Sequence, residues 1–291
     1  VSWPKSLYEN FLIGRKMIIQ KNIINISLNI IRTLVMIYTV VHLSGGIESY
    51  FYVMIATLFF ETVILRITFF QKMGRTFNFA SFLELKPLLK YTSGVGFFSI
   101  LSLIVFQSDK IFISKFMPIS ALGIYNTSSV IPLAMFSLIY PITSAIFPRL
   151  VRMNSDSKAK HIFQEWSLIL GILCVLYFAF VTLNLPFIYT IWLGSEADYA
   201  NIPISIFLMA GTLIHSFTSI SGSLLLANGH YRSVVIIYLV SVIIYLLYLF
   251  LTANYGIKFI SIGWLICNIS LFTGSLLSIY KHYAELFLGI I

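Results

Sequence analysis

The sequence predicts an all-α polytopic membrane protein with about eight transmembrane helices. Of its 291 residues, 59% are apolar and only 10% are charged, and the mean hydropathy is +0.94. A soluble fold needs far more polar surface than this composition supplies, so a soluble enzyme, a nucleic-acid-binding domain and a disordered protein are excluded. Eight apolar runs are each long enough to cross a bilayer core of about 30 Å as a helix.

The eight runs follow one another along the chain with short connections. They cover residues 23–43, 47–69, 91–116, 119–148, 166–193, 202–227, 233–253 and 257–280. The fourth run contains Pro132 and Pro141, and an interior proline removes a backbone hydrogen bond and kinks a helix. We therefore expect a bent element there, which is either a moving part of a transporter or a static kink.

Lysine and arginine residues predict the orientation in the membrane. Fourteen of the 19 lie in alternate connecting segments, beginning with residues 1–22 and ending with the C-terminal tail. The intervening segments and their adjoining helix ends hold only three. Because cytoplasmic loops carry the excess of positive charge, both ends of the chain are predicted to be cytoplasmic.

A likeness between the two ends of the chain suggests a repeat. Each end carries a hairpin that starts from the cytoplasm and turns on a glycine, Gly46 or Gly256. Any two helical hairpins share such features, so chance is the alternative. If the repeat is real, this is a truncated form of a twelve-span protein. Residues 1–70 would then be the last hairpin of an incomplete first bundle, 71–90 a basic cytoplasmic linker, and 91–291 a complete six-helix bundle.

Four polar residues inside the predicted spans are candidates for lining a substrate cavity. Arg32 is near the middle of its span, where a charge is costly, and it either binds a phosphate group or pairs with Glu61 or Asn29. Glu61 either couples transport to a cation or neutralises an arginine. Arg66 is close enough to a span end to extend towards the headgroups. His215 belongs to a serine- and threonine-rich run that either lines an aqueous path or packs between helices.

Two short motifs carry a family resemblance. Residues 109–116 read Asp-Lys-Ile-Phe-Ile-Ser-Lys-Phe, and residues 121–125 read Ala-Leu-Gly-Ile-Tyr. This pattern resembles a signature of the polysaccharide biosynthesis proteins, which include the O-antigen and capsule flippases of the multidrug/oligosaccharidyl-lipid/polysaccharide exporter superfamily. The resemblance implies two six-helix bundles around a central cavity. It also makes Asp109 and Lys110 candidates for a gate or a coupling site, although an Asp-Lys pair near a membrane interface is usually solvated.

The same resemblance implies a function. We expect a flippase of the bacterial inner membrane that moves an undecaprenyl-pyrophosphate-linked oligosaccharide, the repeat unit of an O-antigen lipopolysaccharide or a capsule, by alternating access. Its expected partners are this lipid-linked oligosaccharide, membrane lipids and other polysaccharide-assembly membrane proteins, and no nucleic acid. The sequence shows neither metal-ligand spacing nor a catalytic motif, so no metal, cofactor or enzymatic activity is expected. Two alternatives stay open: a multidrug-type exporter of the same superfamily, and a membrane-embedded polysaccharide polymerase or acyltransferase.

Overall fold

The computed structural model describes residues 5, 8–9, 11–12, 17–42, 47–73, 82–152, 156–199 and 201–282. These residues form nine long α-helices and two short 3-10 helices, at Gly194–Tyr199 and Ala253–Tyr255, and they contain no strand. The α-helices are α1 (Ile18–His42), α2 (Ile47–Met73), α3 (Phe82–Phe116), α4 (Ile119–Ala134), α5 (Phe136–Arg152), α6 (Asp156–Leu193), α7 (Ile202–Ala227), α8 (Tyr231–Thr252) and α9 (Ile257–His282).

Seven of these helices are long and apolar enough to cross a membrane. The pair α4 and α5 forms an eighth candidate span, bent by 41°. The prediction of an all-α polytopic membrane protein with about eight spans is therefore confirmed. Helix α6 has 38 residues, about 57 Å at 1.5 Å per residue, so it is longer than a bilayer core requires. It begins ten residues before the span predicted there.

The chain divides into two compact units, Val1–Ser81 and Phe82–Ile291. In the first unit α1 packs against α2, and in the second α7 lies at the centre and packs against α4, α5, α6, α8 and α9. Helix α3 begins at Phe82, so it includes residues 82–90 of the predicted linker. Gly46 and residues 74–81 lie outside the described residues. The repeat, the missing helices and the three segments derived from them stay predictions.

The fourth predicted span is two helices rather than one, because the chain breaks at Met135. Pro132 lies three residues before the break, and the Met135 N–H bonds to the Pro132 carbonyl instead of continuing the α-helical pattern. Two carbonyl groups thereby lose their helical donors. Pro132 has no N–H for the carbonyl of Ser128, and Met135 does not bond to that of Ile131. No break accompanies Pro141, which lies inside α5.

Side chains of neighbouring helices satisfy both carbonyl groups. The Tyr177 hydroxyl on α6 donates to the Ile131 oxygen at 2.8 Å. The Ser128 oxygen lies 2.9 Å from the Ser205 hydroxyl on α7 and 3.2 Å from the Tyr189 hydroxyl on α6. Since a buried carbonyl without a donor is costly, these contacts stabilise the bend and tie it to α6 and α7.

Two histidines join helix ends in the second unit. The rings of His230, which precedes α8, and His282, at the end of α9, stack with their centroids 4.0 Å apart. Burial, with a further contribution from the neighbouring His282, holds the pKa of His230 below its usual value of 6.5. His230 is therefore neutral at pH 7, and this avoids repulsion between the stacked rings.

Candidate functional site

Arg32 and Glu61 form an ion pair between α1 and α2. The Arg32 Nη2 donates to Glu61 Oε2 at 2.8 Å, and its Nε donates to the Thr57 hydroxyl at 3.1 Å. The Glu61 side chain is only 1% exposed and that of Arg32 18%. Both residues are near the middle of apolar helices, so the pairing compensates two charges where each alone would be unstable.

Two residues near the N-terminus extend this pair into a network. The Lys5 Nζ lies 2.6 Å from Glu61 Oε1 and 3.9 Å from Glu9 Oε1. The Asn25 side-chain amide donates to Glu9 Oε1 at 2.8 Å. Two cations and two carboxylates therefore balance one another. Sequence reasoning did not include Lys5 or Glu9; their i,i+4 spacing indicates a helical pair but gives no sign of a contact with Glu61.

Arg66 lies apart from this network. Its side chain is exposed, and its guanidinium carbon is 5.7 Å from the centroid of the Phe70 ring. None of the ion pairs among the described residues includes it. This placement fits an arginine that extends along the helix surface, and it separates Arg66 from Arg32 and Glu61.

Asp109 is the centre of a second polar cluster, in the second unit. The Tyr125 hydroxyl on α4 donates to Asp109 Oδ2 at 2.7 Å, and Lys110 Nζ lies 3.4 Å from Oδ1. Lys110 Nζ also donates to the Phe106 carbonyl at 2.9 Å. Asp109 is 4% exposed. The expectation of a solvated pair is therefore wrong for Asp109, because Tyr125 and the surrounding helices remove its carboxylate from solvent.

A buried tyrosine without a hydrogen bond belongs to the same unit. Tyr245 on α8 is fully buried, and its hydroxyl has no hydrogen-bond partner among the described residues. Buried hydroxyl groups are nearly always partnered, so Tyr245 is an exception among the described residues.

His215 lies in the middle of α7 and is 6% exposed. Its Nδ1 is 2.9 Å from the side-chain oxygen of Asn268 on α9, and its ring meets that of Phe136 edge-on with centroids 5.2 Å apart. Asn268 is 53 residues further along the chain, and no sequence pattern indicated this contact.

The hydroxyl groups around His215 bond to their own helix. They donate to carbonyl groups three or four residues earlier, as in Thr212, Ser216, Thr218, Ser219, Ser221 and Ser223. This arrangement lets a serine- and threonine-rich helix lie at the centre of an apolar bundle, since small residues allow close approach and no donor is left unpaired.

The described residues contain no group of three or more His, Cys, Asp or Glu side chains placed to hold a metal ion. Among the described residues, the first unit holds a cluster of compensated charge around Glu61, and the second unit holds one around Asp109.

A model of a protein family described as "polysaccharide biosynthesis protein" matches residues 11–200, about two thirds of the chain. This range contains Arg32, Glu61, Asp109 and Lys110, and it ends before α7. No curated protein and no solved structure matches the chain.

Proposed function

Because the chain belongs to the polysaccharide biosynthesis protein family, we propose that it translocates a lipid-linked oligosaccharide across the bacterial inner membrane. In this proposal the substrate is an undecaprenyl-pyrophosphate-linked repeat unit of an O-antigen or a capsule, and the protein acts by alternating access rather than by chemistry. The observation that carries the proposal is the family match over a multi-pass helical chain, with a buried ion pair inside the matched range.

The free donors of Arg32 support a role in binding the pyrophosphate. A guanidinium has five N–H donors, and the structure uses one at Nε and one at Nη2. The side chain is partly exposed, so the remaining donors can reach an anionic oxygen while Glu61 keeps its contact. Arginine suits this role because its planar donor array matches phosphate oxygens.

We assign Asp109 and Lys110 to coupling or gating. The Asp109 carboxylate links α3 to α4 through the Tyr125 hydroxyl. Breaking that hydrogen bond would remove the polar link between these two adjoining helices. Pro132 lies seven residues after Tyr125 and the break at Met135 ten residues after it, so a change at Asp109 has a short path to the kink.

Inactivation of the whole gene in its host is expected to remove surface polysaccharide and to accumulate lipid-linked oligosaccharide on the cytoplasmic side of the inner membrane. The leaflet is determined by comparing how an added glycosidase digests the lipid-linked material in intact cells and in inverted membrane vesicles. A plasmid copy should restore surface polysaccharide.

A different result would contradict the proposal. If surface polysaccharide is unchanged and sensitivity to toxic compounds rises, the protein is a drug exporter. If lipid-linked oligosaccharide accumulates on the outer side instead, the missing step is a later one, such as polymerisation.

A further inference from the structure

A pocket of about 190 Å³ lies in the second unit, between α3, α5, α7, α8 and α9. Ligand sites for drug-sized molecules usually have about 300–1,000 Å³, so this pocket has room for a single ring rather than an oligosaccharide. No lysine, arginine, aspartate or glutamate is among its lining residues. It therefore offers no charge to a phosphate, a carboxylate or an ammonium group.

The hydroxyl groups at this pocket present hydrogen-bond acceptors. Each donates its own proton to a carbonyl of its helix, which leaves the lone pairs of the oxygen available. This applies to Thr143 on α5, to Thr218, Ser219 and Ser223 on α7, and to Ser275 on α9. A ligand with several hydroxyl donors suits such a wall.

His215 adds a further acceptor. The side-chain nitrogen of Asn268 donates to the Trp264 carbonyl, so its oxygen is the group that faces His215 Nδ1. Because the Asn268 oxygen can only accept a hydrogen bond, the proton of the neutral His215 ring is assigned to Nδ1. The other ring nitrogen, Nε2, is then a hydrogen-bond acceptor. Among the described residues no group donates to Nε2, although His215 is 6% exposed and lines the pocket. A hydrocarbon chain would leave this acceptor unsatisfied.

Aromatic rings form the other part of the wall. Phe98 on α3 and Tyr238 on α8 meet edge-on with centroids 4.6 Å apart, and Tyr140 on α5 stacks on Phe136 at 5.1 Å. Their faces are apolar, and the tyrosine hydroxyls add groups that both donate and accept. A sugar ring matches both features, because it combines an apolar C–H face with hydroxyl groups at its rim.

We propose that this pocket binds one uncharged sugar ring and rejects acidic sugars and pyrophosphate. Its place in transport rests on the proposed function: the ring would belong to the glycan of the lipid-linked substrate. Sugar binding can be measured without that assumption.

Gly222 allows the pocket to be filled with little disturbance. It lines the pocket, and a Cβ atom added there meets nothing within 4 Å. Gly222→Leu therefore places a side chain in the cavity. Gly123→Leu is the matched control, because Gly123 also has nothing within 4 Å and lies on α4, away from the pocket.

The test uses the whole protein in lipid nanodiscs free of sugar-based detergents, with methyl glucoside and methyl glucuronide as probes. Saturation-transfer NMR should detect methyl glucoside with the native protein and with Gly123→Leu. The signal should fall at least tenfold with Gly222→Leu. Methyl glucuronide and inorganic pyrophosphate should not compete. If Gly222→Leu fails to fold, the double variant Ser219→Ala/Ser223→Ala removes two acceptors without adding volume and should weaken binding several-fold.

Three results would overturn the pocket assignment: no glucoside signal with the native protein, an unchanged signal in both pocket variants, or equal binding of the glucuronide. Surface polysaccharide separates this assignment from the proposed function. If gene inactivation removes it and Gly222→Leu does not, the proposed function stands and the place of this pocket in transport is wrong. If gene inactivation leaves it intact, the proposed function is wrong whatever the NMR shows.

Discussion

The double variant Arg32→Gln/Glu61→Gln is expected to fold as stably as the native protein but to produce no surface polysaccharide. Replacing both members of a buried ion pair by neutral groups of similar size is often neutral for stability, because no uncompensated charge remains. Lys5 keeps Glu9 as a partner. Loss of the Arg32 charge, however, removes the donors that we assign to pyrophosphate. Thermal unfolding of the purified protein and assay of surface polysaccharide measure the two effects separately.

The single variants and a control make this comparison decisive. Glu61→Gln alone should cost up to about 3–5 kcal/mol, because it leaves Arg32 inside the membrane without a carboxylate partner. Arg32→Gln alone should cost less, because Lys5 still lies 2.6 Å from Glu61 Oε1. Arg66→Gln, on the same helix as Glu61 but exposed and outside the network, should change neither stability nor polysaccharide. If the double variant restores polysaccharide along with stability, Arg32 has only a structural role.

Gly211→Ala is expected to destabilise the second unit, although alanine is the better helix former. An added Cβ would lie 2.5 Å from Cδ1 of Trp264 and 3.2 Å from the backbone Cα of Leu265. Trp264 is 2% exposed and donates from Nε1 to the Thr212 hydroxyl at 3.3 Å, so it has little freedom to move. Overpacking of this kind typically costs about 1–3 kcal/mol.

Gly123→Ala is the control for the intrinsic helix effect. It lies on α4 with nothing within 4 Å of an added Cβ, so it should gain up to about 1 kcal/mol. Midpoints of thermal unfolding should therefore shift in opposite directions for the two variants. Equal shifts would mean that the contact between α7 and α9 is not as close as the structure has it.

Hydropathy predicted the membrane-spanning helices, because the stability of a segment in lipid depends on its own composition and not on the helices that pack against it. The bend at Pro132 was also predictable, since the missing N–H is a local property. Tyr177 lies 46 residues from the carbonyl it satisfies, so the contacts that hold the bend depend on tertiary packing. The sequence alone does not indicate which proline interrupts the helix. In the structure, Pro141 lies inside α5 and does not interrupt it.

The candidate site was predicted less completely than the fold. The sequence supported two interpretations of Arg32, phosphate binding or pairing with a residue such as Glu61. Pairing with Glu61 was predictable because both charges lie in the middle of apolar spans, and the structure has this pair. The burial of Asp109 was missed because a sequence position near a span end does not reveal that Tyr125 covers the carboxylate. The contact between His215 and Asn268 joins two helices whose facing sides only the fold defines.

Translocation itself is measured most directly in liposomes that contain the whole protein and an undecaprenyl-pyrophosphate-linked oligosaccharide accessible on one face. Access of a membrane-impermeant glycosidase to the oligosaccharide is followed with time. Liposomes with the native protein should move the oligosaccharide to the opposite leaflet, whereas empty liposomes and liposomes with the Arg32→Gln/Glu61→Gln variant should not. Equal rates in empty liposomes and in those with the native protein would contradict the proposed function.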